Sequence, residues 1–190
     1  MEIKMIKELL LETRSYRRFQ YDKKISYKEL CDIVEAARFC PCTANMQRLR
    51  FALISDEETA SGVFETLSFA ALLRPWVRPE PNERPVAYIV VLGEREPDVN
   101  LSIDVGISAE AMLLTAKEKG IVGCMFRSFN KDNLSKVIGR EGYMPYLVIA
   151  LGYPGEEVVL EDGKPGELKY YRDENGVHHV PKLKLEDLIV

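Results

Sequence analysis

The chain has 190 residues, 46% of them hydrophobic, and 26 Lys and Arg residues against 30 Asp and Glu residues, which gives a formal net charge of −4. A chain of this length can bury one sizeable core, so we expect a single domain over residues 1–190. The small negative charge gives no field that would attract nucleic acid or an anionic membrane, and no apolar run approaches the ~20 residues that cross a bilayer.

The N-terminal part of the chain predicts two helices. Residues 1–7 alternate charged and apolar side chains and lack the core of a signal peptide, so we expect a cytoplasmic protein. Ser26 and Glu29 have the spacing of a capping box, which predicts that a helix spans residues 27–39. Before it, residues 2–12 are predicted to form a helix whose apolar face consists of Ile3, Ile6, Leu9 and Leu10.

Between residues 51 and 85 the sequence pattern changes from strand to helix to loop. Residues 51–54 are typical of a short buried strand, and residues 57–73 have the apolar spacing of a helix. Residues 74–85 contain four prolines, which predicts an extended loop and a candidate lid. We expect Trp76 in this loop to pack against the body of the protein, because large aromatic side chains are usually buried.

The second half of the chain alternates strands and helices, which favours an α+β fold. A helix over residues 101–119, capped by Asp98 or Asn100 and ended by Gly120, is apolar on most faces. Such a helix lies in a large core or against another subunit. The remaining predicted elements are strands over residues 86–92, 121–126 and 146–152 and a short helix between Asn130 and Gly139.

Residues 153–190 are predicted to form an extended C-terminal segment. This segment is rich in glycine and charged residues and has little core of its own, and residues 184–189 are helix-like. We therefore expect it to lie on a partner or to wrap around the body.

The cysteines and histidines lack the spacing of a metal site. Cys40 and Cys42 form C-x-C rather than C-x-x-C, no second close pair exists, and both histidines lie near the C-terminus. Thiols without a metal are therefore expected, and no metal site is predicted. The four cysteines are Cys31, Cys40, Cys42 and Cys124.

Residues 41–51 form a polar connection between the second helix and the first strand. Pro41 cannot continue the helix, because it lacks an N–H group and its ring clashes with the preceding turn. The carboxamides of Asn45 and Gln47 offer hydrogen-bond donors and acceptors to a flat polar ligand. An ordinary polar connection between helix and strand is the alternative interpretation.

A basic turn, Arg14-Ser15-Tyr16-Arg17, follows the first helix. Two guanidinium groups can bind phosphate oxygens bidentately, and the hydroxyl group can contact a phosphate or a polyol. A solvated basic turn is the alternative. The chain contains no glycine-rich phosphate loop and no compelling catalytic triad.

Taken in order, these motifs resemble the FMN-dependent nitroreductase family over essentially the whole chain. No single motif is specific, whereas the ordered set is. The motifs are R-S-x-R at residues 14–17, A-A-R-x-x-P-x-x-A-N-x-Q at residues 36–47, Asp104-Val105-Gly106, Gly-Ile-Val-Gly-Cys at residues 120–124, and Leu-Gly-Tyr-Pro at residues 151–154. The C-terminal residues 171–182 resemble the ending of a compact subgroup of that family.

The resemblance implies an α+β fold, with a mixed, mainly antiparallel central sheet flanked by helices, in an intertwined homodimer. It also implies that Arg14 and Arg17 bind the FMN phosphate and that Ser15 contacts the ribityl chain. A C-terminal lysine, Lys182 or secondarily Lys184, is implied to reach the phosphate. The residues implied to line the flavin ring, the loop often coming from the neighbouring subunit, are Pro41, Cys42, Thr43, Asn45, Gln47, Arg127 and Ser128.

Three departures from the family pattern concern the phosphate and the ring. Thr13 stands where the family often has another basic residue. Arg48-Leu49 replaces a usual Pro-Trp pair, and Arg127-Ser128 replaces a pair that commonly contains glycine. The phosphate affinity and the shape of the site over the ring are therefore expected to differ from the family pattern.

The resemblance implies an enzyme in which NAD(P)H reduces FMN and a small acceptor, such as a nitroaromatic compound or a quinone, is reduced in turn by a ping-pong mechanism. No catalytic side chain is assigned, because the cofactor carries the redox chemistry. Two alternatives are a flavin protein with a different reaction, such as reductive group removal or flavin breakdown, and a non-catalytic dimeric module that has lost flavin.

Overall fold

The structure is a computed structural model, and it describes residues 5–69, 73, 75–94 and 96–190. The helices are α1 (Ile6–Glu12), α2 (Tyr27–Arg38), α3 (Glu57–Thr66), α4 (Val99–Glu118) and α5 (Lys131–Ile138). The strands are β1 (Arg50–Ile54), β2 (Ala87–Gly93), β3 (Val122–Phe126), β4 (Met144–Gly152), β5 (Val158–Gly163), β6 (Tyr171–Arg172) and β7 (His178–Leu183).

A four-stranded antiparallel sheet with strand order β1-β2-β4-β3 forms the centre of the fold. Alternate residues of β2 and β4 face opposite sides, and helices cover both. Helices α2 and α4 pack on one side, and α3 and α5 pack on the other. This double cover explains why both strands are almost continuously apolar in the sequence. The predicted α+β fold with flanking helices is confirmed.

The predicted helix boundaries are confirmed where the capping residues are local in the sequence. The Ser26 side chain accepts a hydrogen bond from Glu29 N, and the Glu29 side chain accepts one from Ser26 N. Asp98 Oδ1 accepts from Leu101 N at 2.7 Å and so caps α4, which begins two residues earlier than predicted. Gly120, with φ of 74°, has the left-handed conformation that glycine adopts readily after a helix.

The helix predicted over residues 57–73 is wrong for residues 67–69. Helix α3 ends at Thr66, and Leu67 adopts an extended conformation with ψ of 142°. The chain leaves the helix because Leu67 pairs with Phe129 in an isolated antiparallel bridge. The backbone N–H of Ser68 donates to Ser128 O at 2.9 Å and continues this pairing. Predicted helical residues 70–72 lie outside the described residues, as do residues 2–4 of the first predicted helix.

The C-terminal segment forms a small sheet of its own that the sequence analysis did not predict. Strand β7 lies between β5, to which it is parallel, and β6, to which it is antiparallel. Val158 packs against a cluster of Tyr16, Phe19 and Val122, which attaches this sheet to the body. The helix-like pattern near the end corresponds to a single 3-10 turn, Leu185–Asp187.

Helix α4 is long and apolar enough, by length and composition, to cross a membrane, which the sequence analysis did not anticipate. The same properties occur in the core helix of a soluble protein. Here Ala109, Met112 and Ala116 are fully buried against the sheet. Val99, Ile103 and Ile107 lie on the exposed side of the helix.

Candidate functional site

The basic turn is attached to the edge of the central sheet. Helix α1 ends at Glu12, and Ser15 forms a parallel bridge with Gly123 of β3. The Tyr16 N–H donates to Gly123 O at 3.1 Å, and the Tyr16 side chain is buried. The backbone that carries Arg14 and Arg17 is therefore part of a rigid region rather than a free loop.

The two guanidinium groups of the turn are available to an anion. Arg14 Nη2 donates to Leu10 O at 2.5 Å, but Arg14 Nε is buried without a hydrogen-bond partner. Arg17 Nη1 donates to Ser15 O at 3.1 Å, and its guanidinium carbon lies 4.9 Å from the centre of the Tyr170 ring. Within the described ranges, neither group forms an ion pair with a carboxylate, so both retain their charge for a ligand.

Arg17 opens onto a cavity of about 290 Å³ at the end of β3. Arg127 and Ser128, which follow this strand, line the same cavity and are exposed. The structure thus brings together three residues that the sequence analysis assigned to one site. The remaining lining residues are Ser68, Phe69, Cys124, Met125, Phe126 and Tyr170.

The polar connection after α2 is held by a buried carboxylate. Asp104 of α4 is 2% exposed, and its Oδ1 accepts hydrogen bonds from Thr43 N at 2.9 Å and Thr43 Oγ1 at 3.0 Å. These bonds attach the loop to helix α4. In the sequence, Asp104 stands out only as part of the motif Asp104-Val105-Gly106. The structure shows that its carboxylate fixes the position of the loop through Thr43.

The same loop contains strained backbone conformations. Ala44, Asn45 and Gln47 have positive φ angles of 49°, 54° and 48°. Such conformations are unfavourable for residues with a Cβ atom, persist only where the surroundings impose them, and are concentrated at functional sites. The Asn45 and Gln47 side chains are exposed, with Gln47 Nε2 donating to Asn45 Oδ1 at 3.3 Å. Gln47 N donates to Cys42 Sγ at 3.4 Å, and Pro41 is exposed at the start of the loop.

The loop and Arg127 lie at the same end of the central sheet but at opposite edges, and the basic turn lies along the β3 edge from its bridge at Gly123. Arg50, directly after the loop, pairs with Leu92 of β2, whereas Phe126, directly before Arg127, pairs with Val148 of β4. Three strand spacings of about 4.8 Å separate the edge strands by roughly 14 Å. The loop borders a different cavity, of about 770 Å³, between α2 and β1. One chain therefore does not bring the two predicted groups together.

The predicted C-terminal phosphate ligand is not at the turn in this chain. Lys182 is exposed in β7, opposite Asp162, and forms no hydrogen bond or ion pair with the described part of the chain. Lys184 precedes the last 3-10 turn. The cationic C-terminal side chain linked to the turn is Arg172, whose Nη2 lies 2.6 Å from Glu156 Oε2. Sequence reasoning missed Arg172 and Glu156, because no spacing connects them with residues 14–17.

A buried histidine lies behind the turn. His178 is 1% exposed, its ring centre lies 5.5 Å from that of Tyr170, and neither ring nitrogen has a hydrogen-bond partner. Burial, followed by the nearby charge of Arg17, lowers the pKa of His178 to about 4. The ring is therefore neutral near pH 7 and adds no positive charge to the turn.

Comparisons with known proteins identify a family and related sequences. A family model described as "Nitroreductase family" matches residues 10–153. "Putative NAD(P)H nitroreductase YdgI" from Bacillus subtilis is 24% identical, and the match covers 79% of this chain and 88% of the relative. "Putative NADH dehydrogenase/NAD(P)H nitroreductase" from Archaeoglobus fulgidus is 27% identical, with 78% and 85% covered.

Solved structures share the fold at low sequence identity. The crystal structure titled as a putative NAD(P)H:FMN oxidoreductase from Staphylococcus epidermidis has a TM-score of 0.70 at 19% identity, covering 100% of this chain and 97% of that one. A nitroreductase family protein from Streptococcus pneumoniae has a TM-score of 0.69 at 16% identity, with 98% and 99% covered. The similarity includes the C-terminal segment.

Proposed function

The chain belongs to the nitroreductase family and is an oxidoreductase, and we propose that it binds FMN and uses it to transfer electrons from NAD(P)H to a small acceptor such as a nitroaromatic compound or a quinone. The names of both curated relatives include NAD(P)H nitroreductase, and one structural relative is titled as an NAD(P)H:FMN oxidoreductase. The single observation that carries the proposal is that Arg14 and Arg17 have no carboxylate partner in the described part of the chain, with Arg14 Nε buried and unpaired and Arg17 lining the cavity at the end of β3.

The donor set of the turn fits the phosphate end of FMN. A phosphate dianion needs several N–H donors and positive charge, and guanidinium groups supply both. Arg14 and Arg17 are free of carboxylates in the described part of the chain, and Arg14 Nε is buried without a partner. A phosphate oxygen would satisfy such a group, whose burial without a hydrogen bond is unfavourable. Ser15 adds a hydroxyl group for the polyol part of the ligand.

The residues of this chain bind and orient, while FMN, when bound, supplies the redox chemistry. Arg127 can place positive charge beside the flavin ring, and cationic or N–H groups near the ring edge stabilise a negative charge there. The Asn45 and Gln47 side chains offer further donors and acceptors. NAD(P)H and the acceptor would occupy the same face of the ring in turn, which is a ping-pong order. No side chain of the chain needs to act as an acid or a base.

The complete site needs a second copy of the chain. The turn and the loop lie at opposite edges of the sheet, so a ring bound beside Arg127 does not reach Asn45 of the same chain. The partner subunit's Asn45 would complete the site in a homodimer. The exposed apolar residues of α4 and the exposed Phe39 and Met46 near the loop support such an interface. Both active sites of the dimer would then be shared.

Purified protein provides the test of this function. We expect flavin absorbance from bound or added FMN and oxidation of NAD(P)H that depends on a nitroaromatic compound or a quinone. Double-reciprocal plots should give parallel lines, because donor and acceptor alternate at one site. Intersecting lines would contradict the alternating order, and a protein that binds no FMN would exclude the function as a whole.

A further inference from the structure

Glu156 is a buried carboxylate whose two oxygens are both used. Its side chain is 2% exposed. Oε1 accepts hydrogen bonds from the backbone N–H groups of Arg17 at 2.5 Å and Arg18 at 3.0 Å. Oε2 accepts from Arg172 Nε at 3.1 Å and from Arg172 Nη2 at 2.6 Å. Four N–H donors from two distant parts of the chain therefore meet on one side chain.

The bonds on Oε1 hold the backbone of the basic turn. Two consecutive peptide groups donate to one oxygen, which restricts the conformation on both sides of Arg17. The neighbouring Gly155 N donates to Arg18 O at 3.0 Å and closes the contact from the other direction. A Cβ atom on Gly155 would lie 2.7 Å from the backbone carbon of Phe19, so the two segments are already as close as glycine permits.

The bonds on Oε2 come from the guanidinium group of Arg172, whose positive charge balances the negative charge of Glu156. The Arg172 side chain is 11% exposed, and its bidentate ion pair with Glu156 is a short charge-assisted contact. The Arg172 guanidinium carbon also lies 4.5 Å from the centre of the Trp76 ring, so the pair contacts the proline-rich segment. Since Glu156 and Arg172 compensate each other, Arg14 and Arg17 keep a net positive charge for a phosphate.

We propose that Glu156 is a positioning residue that holds the turn of residues 14–18 in its phosphate-binding conformation, an inference that rests on the proposed binding of FMN. Glu156 acts through the backbone of Arg17 and does not touch the ligand. A preorganised guanidinium group loses less conformational freedom on binding than a mobile one, so loss of Glu156 weakens phosphate binding. The flavin ring, which is held by other residues, is affected much less.

The test compares FMN with riboflavin, which lacks the phosphate, by titrating each flavin into wild type, Glu156→Ala, Glu156→Gln and Glu157→Gln. Glu157→Gln is the matched control, because Glu157 is an exposed neighbour and the substitution removes the same charge. We expect Glu156→Ala to weaken FMN binding at least tenfold and riboflavin binding less than threefold. Glu156→Gln keeps one acceptor oxygen, so its FMN-to-riboflavin affinity ratio should fall at least threefold but less than in Glu156→Ala. Glu157→Gln should leave the ratio unchanged.

The ratio separates positioning from a general structural role. If Glu156 had only a general structural role, its substitution would weaken the binding of FMN and riboflavin equally. If only its charge mattered, FMN affinity would rise in both Glu156→Gln and Glu157→Gln. Either result overturns the proposal. If Glu156→Ala does not fold, Glu156→Gln alone decides, with folding checked by circular dichroism. A wild-type protein that binds FMN, combined with an unchanged ratio in Glu156→Gln, defeats this inference only. A wild-type protein that binds no FMN defeats the proposed function and this inference with it.

Discussion

Arg14 and Arg17 make a residue-scale prediction about the phosphate. A hydrogen bond to a charged group contributes about 1.5–3 kcal/mol, and about 1.4 kcal/mol corresponds to a tenfold change in affinity. The double variant Arg14→Ala/Arg17→Ala should therefore bind FMN on the order of a hundredfold more weakly, allowing for non-additivity. Riboflavin binding should change far less. Fluorescence titration of both flavins measures this, with the exposed Arg38→Ala as control; an equal loss for both flavins would assign the arginines to the fold or the ring.

His178 makes a second residue-scale prediction, about pH. Its pKa is lowered from 6.5 to about 4 by burial and then by Arg17, so protonation favours the unfolded chain. Its contribution to stability is complete above pH 6.5 and is lost as the pH falls through the window down to about 4. Between about pH 7 and about pH 4.5, wild type should lose about 2 kcal/mol more unfolding free energy than His178→Phe. Urea unfolding at each pH measures the difference, and identical pH dependence of the two proteins would show that His178 does not titrate in this window.

At the scale of single residues, the sequence predicted types of side chain better than it predicted partners. The guanidinium groups of Arg14 and Arg17 were predicted from local spacing, and the structure brings Arg17 to the same cavity as Arg127 and Ser128. The bond between Arg17 N and Glu156 spans 139 positions, and nothing local indicates it. Positive φ angles in a loop without glycine, as at Ala44, also cannot be predicted from the local sequence, because tertiary contacts impose them.

At the scale of elements, the loop over residues 41–47 is predicted to depend on its contact with α4. Thr43→Val removes the hydrogen bond from Oγ1 and should lower the free energy of unfolding by about 1 kcal/mol. Asp104→Ala also leaves Thr43 N without its acceptor, so the loss should be larger, about 2–3 kcal/mol. Denaturant unfolding of both variants and of the double variant measures the coupling. Additive losses in the double variant would mean that the two side chains act independently, contrary to the 3.0 Å contact.

Elements whose ends are set by local contacts were the predictable ones. Ser26, Asn130 and Gly139 bound α2 and α5 as predicted, because caps act within a few residues. The end of α3 was missed because Leu67 pairs with Phe129, far along the chain. The small C-terminal sheet was missed for the same reason, since β5 pairs directly with β7, which follows β6 in the sequence. Short charged strands also lack the apolar alternation that identifies a strand.

At the scale of the whole molecule, the geometry predicts that the functional unit is a homodimer with shared sites. The turn and the loop lie at opposite edges of one sheet, so each complete site takes its turn from one subunit and its loop from the other. Wild type should sediment as a dimer when loaded with FMN. A stable, active, flavin-loaded monomer at low concentration would contradict this assembly.

Shared sites can be tested by mixing two defective variants. Arg14→Ala/Arg17→Ala damages only the turn, and Asn45→Ala/Gln47→Ala damages only the loop, so each homodimer contains two defective sites. Subunit exchange between equal amounts yields half heterodimers, in which one site has both defects and the other has none. The mixture should therefore recover about a quarter of the wild-type sites, a result of two-fold symmetry alone. High-affinity FMN binding and NAD(P)H oxidation, measured before and after exchange, give the fraction. If turn and loop served one site within one subunit, every site in the mixture would remain defective and exchange would restore nothing.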